Sequence, residues 1–189
     1  MERGILYILL FGFATACGTP PSPKPEGYLR IDLPEKSYRL FDSLRFPYRF
    51  ECPVYARVAP DVASHNREPY WLNIHLPEKA TIHFSYKRIK NNLPELLDDT
   101  HNFVYRHVIK ASAITETPIR NREKQAYGML YEISGEAASS VQFYVTDSVR
   151  HFVRGALYFM DTPNYAYLSP MISYYTSDIE HLIETFQWK

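Results

Sequence analysis

Residues 71–87, WLNIHLPEKATIHFSYK, alternate apolar and polar side chains on both sides of a Pro77-Glu78-Lys79 punctuation. Leu72, Ile74 and Leu76 share one face of the first half, and Ile82, Phe84 and Tyr86 share one face of the second. A period of two marks a half-buried strand, so the stretch predicts an antiparallel hairpin with one face on a core. Pairing Leu76 with Ile82 and Ile74 with Phe84 would set His75 opposite His83 and Asn73 opposite Ser85.

Outward from this hairpin, residues 45–51, 112–119, 126–133, 141–147 and 151–159 also read as strands, with Ser134-Gly135-Glu136 turning the chain between 126–133 and 141–147. Two segments change to helical period. Leu93, Leu96, Leu97, Thr100, Phe103, Val104 and Val108 fall on one helix face, with Asn92 and Glu95 spaced as a capping box. Ser169-Pro170 predicts the start of a second helix that buries Ile172, Tyr175, Ile179, Leu182, Ile183 and Phe186. Strands do not alternate regularly with helices, which excludes a doubly wound parallel sheet. The class is α+β, an antiparallel sheet flanked by two main helices, and the layout resembles the PsbP-like fold.

The amino terminus, MERGILYILLFGFATAC, has an apolar run at 5–13 that is shorter than the roughly 20 residues of a membrane-spanning helix. Small residues then lead to Cys17. Residues 1–16 are therefore expected to be a lipoprotein signal peptide, with Cys17 the lipidated residue. Residues 17–27 hold four prolines and read as an extended tether, and 28–189 as a single domain. Two or three acyl chains hold a protein to a bilayer where one does not. Gly18 follows the cysteine without an aspartate, which favours the outer over the inner membrane, facing the periplasm.

Lys plus Arg and Asp plus Glu each total 21, and the sequence shows no basic stripe interleaved with aromatics, so nucleic-acid binding is not expected. With Cys17 lipidated, Cys52 has no partner within the chain; a buried free thiol or an intermolecular disulfide would follow. The signatures of nucleotide, zinc and Gly-x-Ser-x-Gly hydrolase sites are absent, and no cofactor is expected. His75 and His83 are weak metal candidates, because a site needs three or four ligands. Thr146-Asp147-Ser148-Val149-Arg150-His151 places a carboxylate, a hydroxyl and an imidazole near one turn, with Arg154 beyond. Asp and Ser are also common turn residues, so the motif supports either a turn or a ligand or hydrolytic site. Among 16 tyrosines, Tyr165 and Tyr167 in a Pro163-Asn164 loop and Tyr174-Tyr175 on the last helix are expected to offer exposed rings for an interface or for glycan stacking.

PKPEGYLRIDLPEKSY (23–38), ATIHFSYK (80–87), NNLPELLDDTHNFVYRHVIKA (91–111), QFYVTDSVRHFVRGALYF (142–159) and IEHLIETFQWK (179–189) together resemble the GldD family of gliding motility lipoproteins of the Bacteroidetes, over essentially the whole chain. PNYAYLSP (163–170) departs from it, with Ala166-Tyr167 where the family has an Asp-Ser pair. The resemblance implies a non-enzymatic, membrane-anchored accessory protein whose partners are envelope proteins of the gliding and type IX secretion machinery. Only Cys17 receives a role from it, as the lipid site. Asp147, Ser148, His151, Arg154, Tyr165 and Tyr167 stay candidates for interaction or ligand binding, and Gly155 is expected to serve close packing.

Overall fold

The computed structural model describes residues 32–61, 69–106, 109–160 and 164–189; residues 1–31, with Cys17 and the tether, lie outside them, as do Val108 and Pro163. The predicted hairpin is β4 (Leu72–His75) and β5 (Ala80–Arg88). Its register differs from the expected one by two residues. Leu72 faces Phe84, Asn73 faces His83, Ile74 faces Ile82 and His75 faces Thr81. The turn decides this: the Leu76 N–H donates to the Ala80 carbonyl at 2.9 Å, with Glu78 and Lys79 at φ 53° and 55°. A shift of two keeps every apolar side chain on its face, so alternation alone cannot distinguish the two registers.

Around the hairpin stand β1 (Tyr38–Phe41), β2 (Tyr48–Pro53), β3 (Arg57–Pro60), α1 (Leu93–Tyr105), β6 (Ala111–Asn121), β7 (Ala126–Gly135), β8 (Ser139–Thr146), β9 (His151–Phe159), α2 (Tyr165–Thr185) and β10 (Gln187–Trp188). They form a seven-stranded sheet, β3-β4-β5-β9-β8-β7-β6, and a small one, β1-β2-β10, with all neighbours antiparallel. The short strands β1, β3 and β10 carry too few residues to show a period.

One face of the large sheet lines up Phe84, Gly155, Phe143 and Leu130 across four strands. Onto it pack β2, through Tyr48 and Phe50, and α2, through Met171, Tyr175, Ile179 and Leu182. Each such side chain contributes about 1.5–3 kcal/mol by leaving water. Gly155 is what lets the rings close up. A Cβ there would stand 2.2 Å from the Phe143 ring, which meets Phe84 edge-on at 5.7 Å. The opposite face carries a second, smaller core in which Val104 of α1 packs with Tyr131, Ile133 and Ala137. The result is a large sheet between α1 on one side and α2 with the small sheet on the other.

Both helix starts differ from expectation. Asn92 makes no side-chain cap; its amide oxygen accepts from the Lys90 N–H at 2.8 Å instead. Along α1 only Thr100 and Val104 are buried, and Phe103 is exposed. The second helix begins five residues early, capped by Asn164, whose oxygen accepts from the Tyr167 N–H at 3.2 Å. Pro170 thus lies inside it. Its missing N–H leaves the Ala166 carbonyl, which the Ser169 hydroxyl reaches at 3.4 Å. Tyr165 and Tyr167 are consequently first-turn helical residues rather than loop residues, and Tyr175 is fully buried.

Candidate functional site

The segment between β8 and β9 is built around one carboxylate. Asp147 Oδ1 accepts from the backbone N–H groups of Val149 (3.0 Å), Arg150 (2.8 Å) and His151 (2.8 Å). The Thr146 hydroxyl donates to the His151 carbonyl at 2.7 Å and accepts from the Ser148 N–H at 2.9 Å, while Ser148 takes φ 66°. Burial opposes ionisation of Asp147, but the three N–H donors outweigh it and hold the carboxyl below its ordinary range. Oδ1 is thereby given over to holding the turn, and Oδ2 lies 3.9 Å from Arg150 Nε.

His151 looks elsewhere. Its Nδ1 meets the Tyr86 hydroxyl at 2.7 Å, and its ring stacks on Trp188 with centroids 5.2 Å apart. Burial, reinforced by Arg150 and Arg88 against the pull of Asp147, lowers its pKa. Ser148 is exposed, and its hydroxyl bonds to neither Asp147 nor His151 among the described residues. The three groups adjoin in sequence without forming a relay for nucleophilic catalysis.

Arg154 belongs to the other face of the sheet. Its Nη2 donates to Gln142 Oε1 at 3.1 Å, and the guanidinium lies 4.1 Å from the centre of the Phe103 ring of α1. Burial lowers its pKa, and neither its Nε nor the Gln142 amide nitrogen has a hydrogen-bond partner. It borders a cleft of about 300 Å³ walled by Trp71 and Tyr158, where His83 Nδ1 meets Asn73 Oδ1 at 2.8 Å. His75 Nδ1 instead meets the Thr81 hydroxyl at 3.3 Å. The expected side-by-side imidazoles are therefore replaced by two separate His-to-polar pairs, and no group of three metal-ligating side chains occurs among the described residues.

Tyr167 is exposed, whereas Tyr165 is half-buried, its hydroxyl 3.3 Å from the Ser134 hydroxyl and its N–H on Glu136 at 3.1 Å. Cys52 is a buried free thiol whose pKa burial raises.

Two features escape the sequence. Asp178, on α2 and almost wholly buried, gathers the start of the domain: Lys36 Nζ at 3.0 Å, the Tyr38 hydroxyl at 2.9 Å and the Tyr55 hydroxyl. Burial and this carboxylate push Tyr38 up to about 12. Lys36 also donates to the Tyr174 carbonyl at 2.8 Å, and the Tyr174 hydroxyl donates to the Pro34 carbonyl. The second is a cleft of about 750 Å³ bordered by Lys87, Arg88, Lys90, Arg150 and Lys189, into which His151 and Tyr86 also face.

No helix among the described residues is long and apolar enough to cross a membrane. Among solved structures the chain is similar to the solution structure of cyanobacterial PsbP (CyanoP) from Synechocystis sp. PCC 6803, at 9% identity and a TM-score of 0.48, covering 88% of this chain and 99% of that one. A search of curated proteins gave no match. The model of the family described as gliding motility lipoprotein GldD matches residues 18–188. The chain belongs to the gliding motility lipoprotein GldD family, and its role is that of a lipoprotein of gliding motility.

Proposed function

We propose that the protein is a tethered docking component of the gliding and type IX secretion machinery. In this reading the signal peptide is removed, lipid on Cys17 holds the chain to the outer membrane, and residues 17–27 set the domain off the bilayer on its periplasmic face. Family membership supports the motility setting. The observation that carries the tethered-dock part is the fastening of residues 34–38 to α2 through Asp178, Tyr174 and Lys36. A fastened first stretch of the domain gives the chain leading to it a fixed point of attachment, and the buried Asp178 carboxylate with its three donors supplies that fastening. Anchoring raises the local concentration of the domain at its partner, so a weak interface is occupied. Exposed Tyr167 and the polar face of β6 supply surface for it. The geometry around Asp147 favours this reading over a hydrolytic one, because its oxygen is engaged by backbone.

Crosslinking in living cells of a gliding strain, followed by affinity purification of the full lipidated chain, tests it. Repeated recovery of the same envelope protein is expected. A chain that stays uncrosslinked under conditions that link known neighbours in the same envelope would overturn the docking role.

A further inference from the structure

Four cations around the larger cleft, Arg88, Lys90, Arg150 and Lys189, stand out on a chain whose charges balance at 21 of each sign, while the ammonium of Lys87, also on its border, lies over the Trp71 ring at 5.5 Å. No Asp or Glu lines that cleft among the described residues. Lys189 is held by Asp42, and Arg150 sits 3.9 Å from Asp147, a long contact. Arg88 and Lys90 take part in no ion pair among the described residues. Gathering like charge is unfavourable unless something answers it.

Other details point the same way. Tyr70, on the rim, holds φ 70°, costly for a bulky side chain, and its carbonyl is fixed by the Tyr48 hydroxyl at 2.6 Å. Asn91, between Lys90 and Asn92, also has positive φ, at 58°. The floor offers the Tyr86 hydroxyl and His151, already paired at 2.7 Å.

We propose that this cleft binds a phosphoryl group, carried either by a lipid headgroup or by a soluble phosphate ester. Convergent Arg and Lys match a dianion with several acceptor oxygens, Arg as a planar fork and Lys as a point charge. A single carboxylate in so open a cleft would gain little over water. The inference is independent of the docking reading.

The test titrates the full lipidated chain, in neutral detergent at low salt, with inorganic pyrophosphate and separately with dihexanoyl phosphatidic acid. Dihexanoyl phosphatidylcholine is the zwitterionic control. Heat of binding is the readout, with the double variant Arg88→Ala/Lys90→Ala and, on the far edge strand β6, Arg120→Ala for comparison. All three side chains are exposed, so folding is expected to survive, and unchanged melting temperatures check it. Binding of at least one phosphate probe, weakened about tenfold or more by the double variant and unchanged by Arg120→Ala, supports the site. Pyrophosphate alone indicates a soluble phosphoryl ligand, phosphatidic acid alone a headgroup, and both the shared phosphoryl chemistry. Absence of binding by either probe, equal affinity in the double variant, or equal binding of phosphatidylcholine overturns it.

Discussion

Asp147 shows how one side chain settles a turn. With Oδ1 accepting three backbone N–H groups and the side chain 7% exposed, its loss removes one charged acceptor from all three donors at once. Asp147→Asn is expected to cost about 2 kcal/mol, because hydrogen bonds to a charged acceptor exceed neutral ones. The pH dependence has a definite sign. A carboxyl whose folded pKa is depressed contributes stability that is complete above its unfolded value of about 3.9 and is lost as pH falls through the folded value. Denaturant unfolding from pH 7 down to pH 3 should therefore show a larger acid loss in wild type than in Asp147→Asn. Parallel acid losses would contradict this role. The same logic explains why the motif reads ambiguously in sequence: Asp-Ser before His serves a turn and a relay equally well, and only the direction of the imidazole, toward Tyr86, separates them.

Among the elements, α2 does most to organise the molecule. Its apolar period was visible as Ile172, Tyr175, Ile179, Leu182 and Ile183, but its start was not. Ser169-Pro170 imitates a helix start so well that the true cap, Asn164, is masked, and the Ser169 hydroxyl covers the carbonyl that Pro170 cannot serve. The hairpin has the same character: alternation fixed which face of β4 and β5 is buried, and the turn at Glu78-Lys79 fixed the register. Asp178 was illegible because its partners lie at least 123 residues away, and a single Asp on a helical face reads as solvated. Its prediction belongs to this scale. Asp178→Ala strands Lys36 and two tyrosine hydroxyls and is expected to cost about 3 kcal/mol. Limited proteolysis should then cut within residues 32–38 sooner than in wild type, while Asp178→Asn, which keeps an acceptor oxygen, falls between. Unchanged cutting in Asp178→Ala would show that this segment is held by other contacts.

At the scale of the whole molecule, the large sheet divides the candidates the sequence had grouped. His151 works on the side of α2 and β10, and Arg154 on the side of α1, although only two residues separate them. The sheet conversely unites what the sequence scattered: Arg88 and Lys90 meet Arg150 and Lys189 at one cleft, a basic patch that balanced composition conceals. Seven of the ten described strands and the class were legible because their residues alternate; the short β1, β3 and β10 were not, nor was the order across the sheet, since β9 inserts between β5 and β8 by long-range pairing. The family assignment adds what neither fold nor cleft supplies, a setting in gliding motility. The decisive measurement is colony spreading by a deletion strain carrying either the wild-type chain or Cys17→Ala at matched abundance. The account predicts that wild type restores spreading and Cys17→Ala does not; full spreading by the Cys17→Ala chain would contradict a function that depends on the lipid tether.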